Sequence, residues 1–249
     1  MSLPEIATTA EWHAARRALL EREKALTRLQ DELNADRRRL PMVEVQEDYV
    51  FHGPDGEARL IDMFGAGRQL IVQHFMFDPS WEDGCSSCTA SVDEIAAGVI
   101  DHLAARETAF VLVSRAPLAT LQAYSRRKGW TIPWYSSHGN RFNYDFHTTL
   151  DESVAPIEVN FRTRAEVGRA PAVRWVTEAP QPIEMPGVSC FLRNGDRVFH
   201  TNSTYGRGVE DVGSAYTFLD LTALGRQESW EEPKGRSGSE HPASPDFAT

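Results

Sequence analysis

Residues 70–103 read LIVQHFMFDPSWEDGCSSCTASVDEIAAGVIDHL, and their pattern decides the fold. Leu70 to Phe77 is a short apolar run rich in β-branched and aromatic side chains, which suits a buried strand better than a helix. Asp78-Pro79 breaks it. After Cys88 the apolar positions are Val92, Ile95, Ala96, Val99, Ile100 and Leu103, the i, i+3, i+4, i+7 recurrence of one helix with a single buried face. Between the two lies Cys85-x-x-Cys88. Cys85 is thereby placed at or just before a helix N-terminus, where unpaired N–H groups and the positive dipole end favour a thiolate. Cys88 falls about one turn further in, within reach to resolve a mixed disulfide on its neighbour.

Strand, C-x-x-C, helix is the order of a thioredoxin-like redox site. Two plainer readings compete with it. A C-x-x-C is also half of a zinc site, but that needs a second Cys or His pair at similar spacing, and the remaining cysteine is Cys190. A buried cysteine can also be no more than a small apolar side chain. Redox activity ranks ahead of metal binding, and metal binding ahead of incidental burial. No metal and no cofactor are expected.

With 249 residues, 41% of them apolar, the chain is long enough to bury a substantial core in one elaborated domain. Its 36 acidic and 26 basic residues leave a formal charge of −10, which argues against nucleic acid or an anionic membrane surface as partner. Three cysteines, one pair closely spaced, are not the framework of a small disulfide-stapled domain. The opening MSLPEIATTAEWHAARR has no apolar signal core, and no apolar run approaches a membrane span, so a cytoplasmic location is expected.

Working toward the N-terminus, Leu60 to Phe64 leads through Gly65 and Gly67 into the central strand. Before it, VEVQEDYVFHGPDGEARLIDMF alternates apolar and polar residues on both sides of Gly53-Pro54-Asp55-Gly56, a hairpin signal. Residues 9–39 read as one long charged helix, opened by a capping box at Thr8 and Glu11 and closed by Arg37-Arg38-Arg39 before Pro41. Trp12, Ala15, Leu19, Leu26, Leu29 and Leu33 form its apolar stripe, which could pack on its own domain or make a homodimer. The expected division is a helical arm over 1–40, a domain over 41–225 and a disordered tail over 226–249.

Toward the C-terminus, Thr108 to Ser114 is a second buried strand, and Pro117 opens a helix ended by Gly129. Alternating strands and helices with short joints imply parallel strands in an α/β sandwich. Residues 130–146 are aromatic enough to line a cleft beside the cysteines or, equally, to cover a sheet edge. Residues 147–186, with Pro156, Pro171, Pro180, Pro182 and Pro186, show no sustained period and read as an insertion. A hairpin around Asn194-Gly195 follows, carrying Cys190 on a strand as core, and a closing helix is expected over 212–221.

The segments HFMFDPSWEDGCSSC, HLAARETAFVLVSRAPLATLQAYSRRKGWTIPWYSS, FNYDF and FLRNGDRVFHTNSTYGRG resemble those of the bacterial thioredoxin-like family catalogued as domain of unknown function 899, over most of residues 8–227. The resemblance implies an α/β thioredoxin-like sandwich with an N-terminal helix, a peroxiredoxin-type hairpin and an insertion before the last hairpin. It also implies a dithiol-disulfide role. CFLRNGDRVF is similar to the strand-turn-strand after the cis-proline of thioredoxins, which puts the cis-proline position near Gly187, one residue past Pro186. Relative to peroxiredoxins, Pro79 is one residue too close to Cys85, and Glu82 stands where a hydroxyl residue is expected.

The expected chemistry is thiol-disulfide exchange, with Cys85 attacking a substrate disulfide and Cys88 resolving it. Glu82 and Asp83 are expected to oppose thiolate formation. Trp81, Trp134, Tyr135 and Gly187 are the candidates for contacting the substrate, a disulfide-containing protein or small thiol, with an unidentified reductant closing the cycle. A thiol peroxidase, a metal-binding protein and a non-catalytic scaffold are the alternatives.

Overall fold

The computed structural model describes residues 4–169, 171–212, 215–224, 226 and 232–234. These divide into two units, one of residues 4–41 with the described residues from 218 onward, the other of residues 42–217. In the first unit the leading element is α1 (Thr9–Arg39), 31 residues long. The capping box forms: the Thr8 hydroxyl accepts the Glu11 N–H at 3.3 Å while the Glu11 carboxylate accepts the Thr8 N–H at 2.9 Å. At the other end three arginines meet the negative dipole end, and the Leu40 N–H donates to the carbonyls of Asp36 and Arg37. No helix among the described residues is long and apolar enough to cross a membrane.

The second unit opens with β1 (Val43–Glu44), then the hairpin β2 (Val50–Gly53) and β3 (Gly56–Arg59), whose two-residue Pro54-Asp55 loop ends on Gly56 at φ 113°. After a short 3-10 turn come β4 (Gln69–His74), α2 (Ser86–Asp93), α3 (Ala97–Ala104), β5 (Thr108–Ser114), α4 (Leu118–Lys128), β6 (Trp134–Ser136) and α5 (Phe142–Asp145). The small elements β7 (Thr149–Leu150), β8 (Glu158–Val159), β9 (Arg162–Thr163), α6 (Arg164–Val167) and β10 (Ile183–Glu184) precede the hairpin β11 (Gly187–Asn194) and β12 (Arg197–Tyr205). The chain then reaches α7 (Ala215–Leu219).

The main sheet runs β1-β12-β11-β4-β5-β6-β2-β3. β4, β5 and β6 are parallel, and β11 lies antiparallel against β4. This is the thioredoxin-like α/β fold, with the β2–β3 hairpin added beyond β6.

The buried strands follow the period of two. Leu70, Val72, Val111 and Val113 face one side, with Phe51, Phe64, Phe142, Phe146 and Phe191. Ile71, Phe75, Phe77, Phe110 and Leu112 face the other, with Leu121, Tyr124 and Trp134. β5 and α4 form where the pattern places them, and Gly129 ends α4 in the left-handed conformation at φ 70°. β4 closes at His74, but the backbone stays extended to Phe77: the Phe75 N–H donates to Val113 and the Ala116 N–H to Phe77, each at 2.9 Å.

Two expectations are revised. The helix after Cys85 is two helices: Ala96 is extended (φ −68°, ψ 148°), and Asp93, which ends α2, holds the Trp130 indole N–H at 2.8 Å and the Lys128 ammonium at 3.4 Å. Apolar spacing records which side chains are buried and not whether the backbone is continuous. Within residues 147–186, Leu150, Ile157, Val159, Val167, Val176 and Ile183 bury one another in a satellite core. The closing helix shortens to α7, with 3-10 turns over Gly206–Val212 before it. Most of the tail expected to be disordered lies outside the described residues.

Candidate active site

The extended segment after β4 turns at Asp78, whose carboxylate accepts the Ser80 N–H at 2.8 Å and hydroxyl at 2.6 Å. The chain returns across the Phe75 and Phe77 rings at Gly84. A Cβ there would lie 2.5 Å from Phe75 Cε1 and 3.3 Å from a Phe77 ring carbon, so only glycine passes. The next residue, Cys85, is tied to the strand extension by its N–H, which donates to the Met76 carbonyl at 3.1 Å.

Cys85 caps α2. Its carbonyl accepts both the N–H and the hydroxyl of Thr89 at 2.9 Å, and the Thr89 hydroxyl is 2.8 Å from the Tyr124 hydroxyl, which anchors the cap to α4. The Cys85 sulfur is half-buried and 3.4 Å from the Ser87 hydroxyl. A hydrogen bond from the Cys88 thiol, helped by the Ser87 hydroxyl and the backbone N–H groups of both residues, outweighs burial and lowers the Cys85 pKa to about 5. Cys88 is buried, and its pKa is pushed well up by its bond to Cys85 and by burial, then by charges that include Glu184. The two sulfurs are therefore unlike: one half-buried with its pKa lowered, the other buried with its pKa raised.

Asp83 is ion-paired with Arg127, and the Arg127 guanidinium sits 5.0 Å from the Tyr124 ring centroid. The largest influences on the Cys85 sulfur come from Cys88, Ser87 and burial.

A second polar cluster gathers at the C-terminal ends of the parallel strands. Arg115, directly after β5, donates to Glu184 at 2.6 Å and to the Tyr144 hydroxyl at 3.2 Å, and pairs with Asp78. Thr149 donates to the other Glu184 oxygen at 3.0 Å. Glu184 is only 5% exposed; burial raises its pKa against the opposing pull of Arg115. Sequence reasoning missed Asp78, Arg115, Tyr144 and Glu184. The available signal was a charge directly after each apolar strand, at the sheet edge where α/β sites assemble; Glu184, between Ile183 and Met185, offered none.

The substrate-contact candidates separate. Trp81 is 38% exposed on the loop before Cys85. Trp134 is buried, its indole N–H donating to Ser114 at 3.0 Å and its ring 4.8 Å from that of Phe75, and one edge of it borders a cavity of about 460 Å³ shared with Trp130 and Tyr135. Tyr135 points to the other face, over Gly53, where a Cβ would come 2.4 Å from its ring. Gly187 pairs with His74 and Tyr205, and a Cβ there would meet Thr148 at 2.9 Å, so its backbone is committed to the sheet. Near it, the cis peptide is at Gln181–Pro182 and Pro186 is not cis. Cys190 sits half-buried in β11 with its pKa raised by burial.

A family model described as "Bacterial protein of unknown function (DUF899)" matches residues 1–241, and the chain belongs to that family. A search of curated proteins found no match. Among solved structures the chain is similar to a mutant of Xanthomonas campestris Peroxiredoxin Q, at 10% identity over 70% of this chain and 94% of that one, with a TM-score of 0.44. It is similar to the reduced Plasmodium vivax 2-Cys peroxiredoxin at 10% identity over 70% and 91%, TM-score 0.39. A putative protein disulfide isomerase from Bacteroides thetaiotaomicron aligns at 22% identity over 40% and 62%, TM-score 0.30.

Proposed function

We propose that this protein is a thiol-disulfide oxidoreductase whose Cys85 thiolate attacks a substrate disulfide and whose Cys88 thiol resolves the product. The observation that supports it is the asymmetry of the pair: Cys85 half-buried at a helix N-cap with its pKa lowered to about 5, and Cys88 buried with its pKa raised. An entering nucleophile must be accessible and ionised; a resolving thiol must wait, protonated, until its neighbour has reacted.

In the first step the Cys85 sulfur bonds to one substrate sulfur and the substrate S–S bond breaks, releasing the other sulfur as thiolate. Once Cys85 is in a mixed disulfide, its negative charge no longer holds the Cys88 proton. Cys88 then loses that proton and attacks Cys85, which expels the second substrate thiolate and leaves a Cys85–Cys88 disulfide. Two electrons have passed to the substrate. Glu184 is a buried carboxylate whose charge Cys88 feels, and the Cys88 proton leaves with the departing substrate thiolate. A dithiol reductant returns the protein to its starting state. Trp81, beside the loop that delivers Cys85, is the substrate contact; the substrate is a disulfide-bearing protein or small molecule.

The test is reduction of a small aromatic disulfide with dithiothreitol as electron donor. Wild type turns over, Cys85→Ser does not, and Cys88→Ser accumulates a mixed disulfide visible by mass spectrometry. Full activity in Cys85→Ser sinks the assignment. Consumption of hydrogen peroxide without disulfide reduction replaces exchange by a thiol peroxidase, with Cys85 passing through a sulfenic acid that Cys88 condenses with.

A further inference from the structure

On the sheet face away from α2, between β1, α5, the β8–β9 turn and β12, lies a cavity of about 570 Å³, within the size range of small-molecule sites. Nothing in the dithiol chemistry uses it. Its aromatic lining comes from Tyr49, Phe146, Phe161 and Tyr205. Tyr49, Phe146 and Tyr205 are buried and fixed by hydrogen bonds and ring contacts: the Tyr49 hydroxyl donates to Asp145 at 2.8 Å, the Tyr205 hydroxyl to the Phe146 carbonyl at 3.0 Å.

The charge lining the cavity is negative. Arg141, its one arginine or lysine, donates to Asp145 at 3.2 Å. Glu44 is held by Arg197 at 2.6 and 2.7 Å. Glu47 and Glu158 remain, the latter 3.9 Å from the His147 ring nitrogen. The second histidine of the wall, His200, bonds Ser203 at 2.7 Å, and that contact continues through Ser189 to buried His74 in steps of 2.8 Å. Burial lowers the His200 pKa.

Backbone strain collects at the same place. Among the described residues four that are not glycine have positive φ: Glu107, His147, Asn160 and Phe161. His147 (φ 52°) and Phe161 (φ 62°) both line the cavity. Asn160 and Phe161 form the two-residue turn of the β8–β9 hairpin, a geometry that suits asparagine followed by glycine. Phe161 is strained there and also 63% exposed, its ring meeting Tyr205 edge-on at 5.5 Å. A large ring held in water in a conformation that favours glycine does little for the fold, and strained residues of this kind gather at ligand clamps.

We propose that this cavity binds an organic cation, an alkyl- or arylalkylammonium group, against the aromatic walls, with Glu47 and Glu158 as counter-charges and Phe161 closing over it. Aromatic faces attract a desolvated ammonium, and the net negative lining selects cations over anions. The site does not depend on the dithiol reading.

The experiment is calorimetric and NMR titration of the full chain with tetramethylammonium, choline and benzyltrimethylammonium chlorides. The uncharged alcohol in which carbon replaces the choline nitrogen is the control. One-to-one saturable binding of at least one cation is expected, with the alcohol at least about tenfold weaker than choline. Phe161→Gly, which relaxes the turn, and Glu158→Gln should each weaken the best cation by about five- to tenfold, while the remote exposed Asp101→Asn leaves it unchanged. Circular dichroism verifies that each variant is folded. No saturation with any of the three cations, equal binding of choline and the alcohol, or wild-type affinity in both cavity variants would overturn the proposal.

Discussion

On one face of the central sheet Phe75, Phe77, Tyr124, Trp130 and Trp134 stack ring against ring beneath the cysteines, at centroid distances from 4.8 Å between Phe75 and Trp134 to 6.5 Å between Phe75 and Phe77. On the other, Phe146 and Tyr205 border open space of about 570 Å³. Both faces are aromatic, and the use made of the rings differs. The stacked rings form a floor beneath Cys88, whose pKa the bond to Cys85 and burial raise. A notched face leaves aromatic surface and carboxylates open to a ligand. Aromatic content in a sequence therefore does not locate a binding site; packing does.

The largest effect that could break this contrast is loss of function on the filled side. Cys85→Ser should reduce disulfide turnover to the uncatalysed background in the dithiothreitol-coupled assay, with stability nearly unchanged. Retained turnover would remove the reason for treating the filled face as the support of a reactive pair.

Next is Trp134→Ala. Because the ring is 4% exposed and its N–H is bonded to Ser114, truncation should cost about 3–5 kcal/mol in denaturant unfolding. A variant of normal stability but weakened substrate affinity would make Trp134 a substrate contact.

The pH dependence of the pair sharpens the contrast from inside. With the Cys85 pKa near 5 and that of Cys88 raised, one proton accompanies two electrons from about pH 5 upward. The reduction potential should fall by about 30 mV per pH unit there and by about 60 mV below it. The sign for stability follows. The folded-state pKa of Cys85 is depressed from an unfolded value of about 8.5, so its contribution is complete above about pH 8.5 and is lost as pH falls through about 5. A slope of about 60 mV per unit across pH 6 to 8 would mean that Cys85 is an ordinary thiol.

Smallest is the stability effect of Phe161→Gly on the notched side. Relief of the left-handed turn offsets loss of the edge contact with Tyr205, so unfolding free energy should change by less than about 1 kcal/mol. A loss near that of Trp134→Ala would show both faces to be ordinary core.

Much of the fold was legible because local rules and tertiary packing agree. The capping box at Thr8 and Glu11, the Gly53–Gly56 turn, β5, Gly129 at the end of α4 and the Asn194-Gly195 turn all form where residue chemistry places them. The break between α2 and α3 was not legible, since Asp93 is held by partners on another element. Nor was the satellite core of residues 147–186, whose side chains meet only once several short elements are folded together. The Arg115–Glu184 pair, 69 residues apart, left no pattern in the chain at all.

By itself the sequence determined the strand, the cysteine spacing and the helix start that follows, because backbone geometry over a few residues depends on local apolar spacing and on where glycine and proline stand. Tertiary structure alone decided that Asp83 pairs with Arg127, that Trp134 is buried, and where a cavity opens. Charge, burial and empty volume are set by groups distant in the chain and close in space, and no local rule carries them.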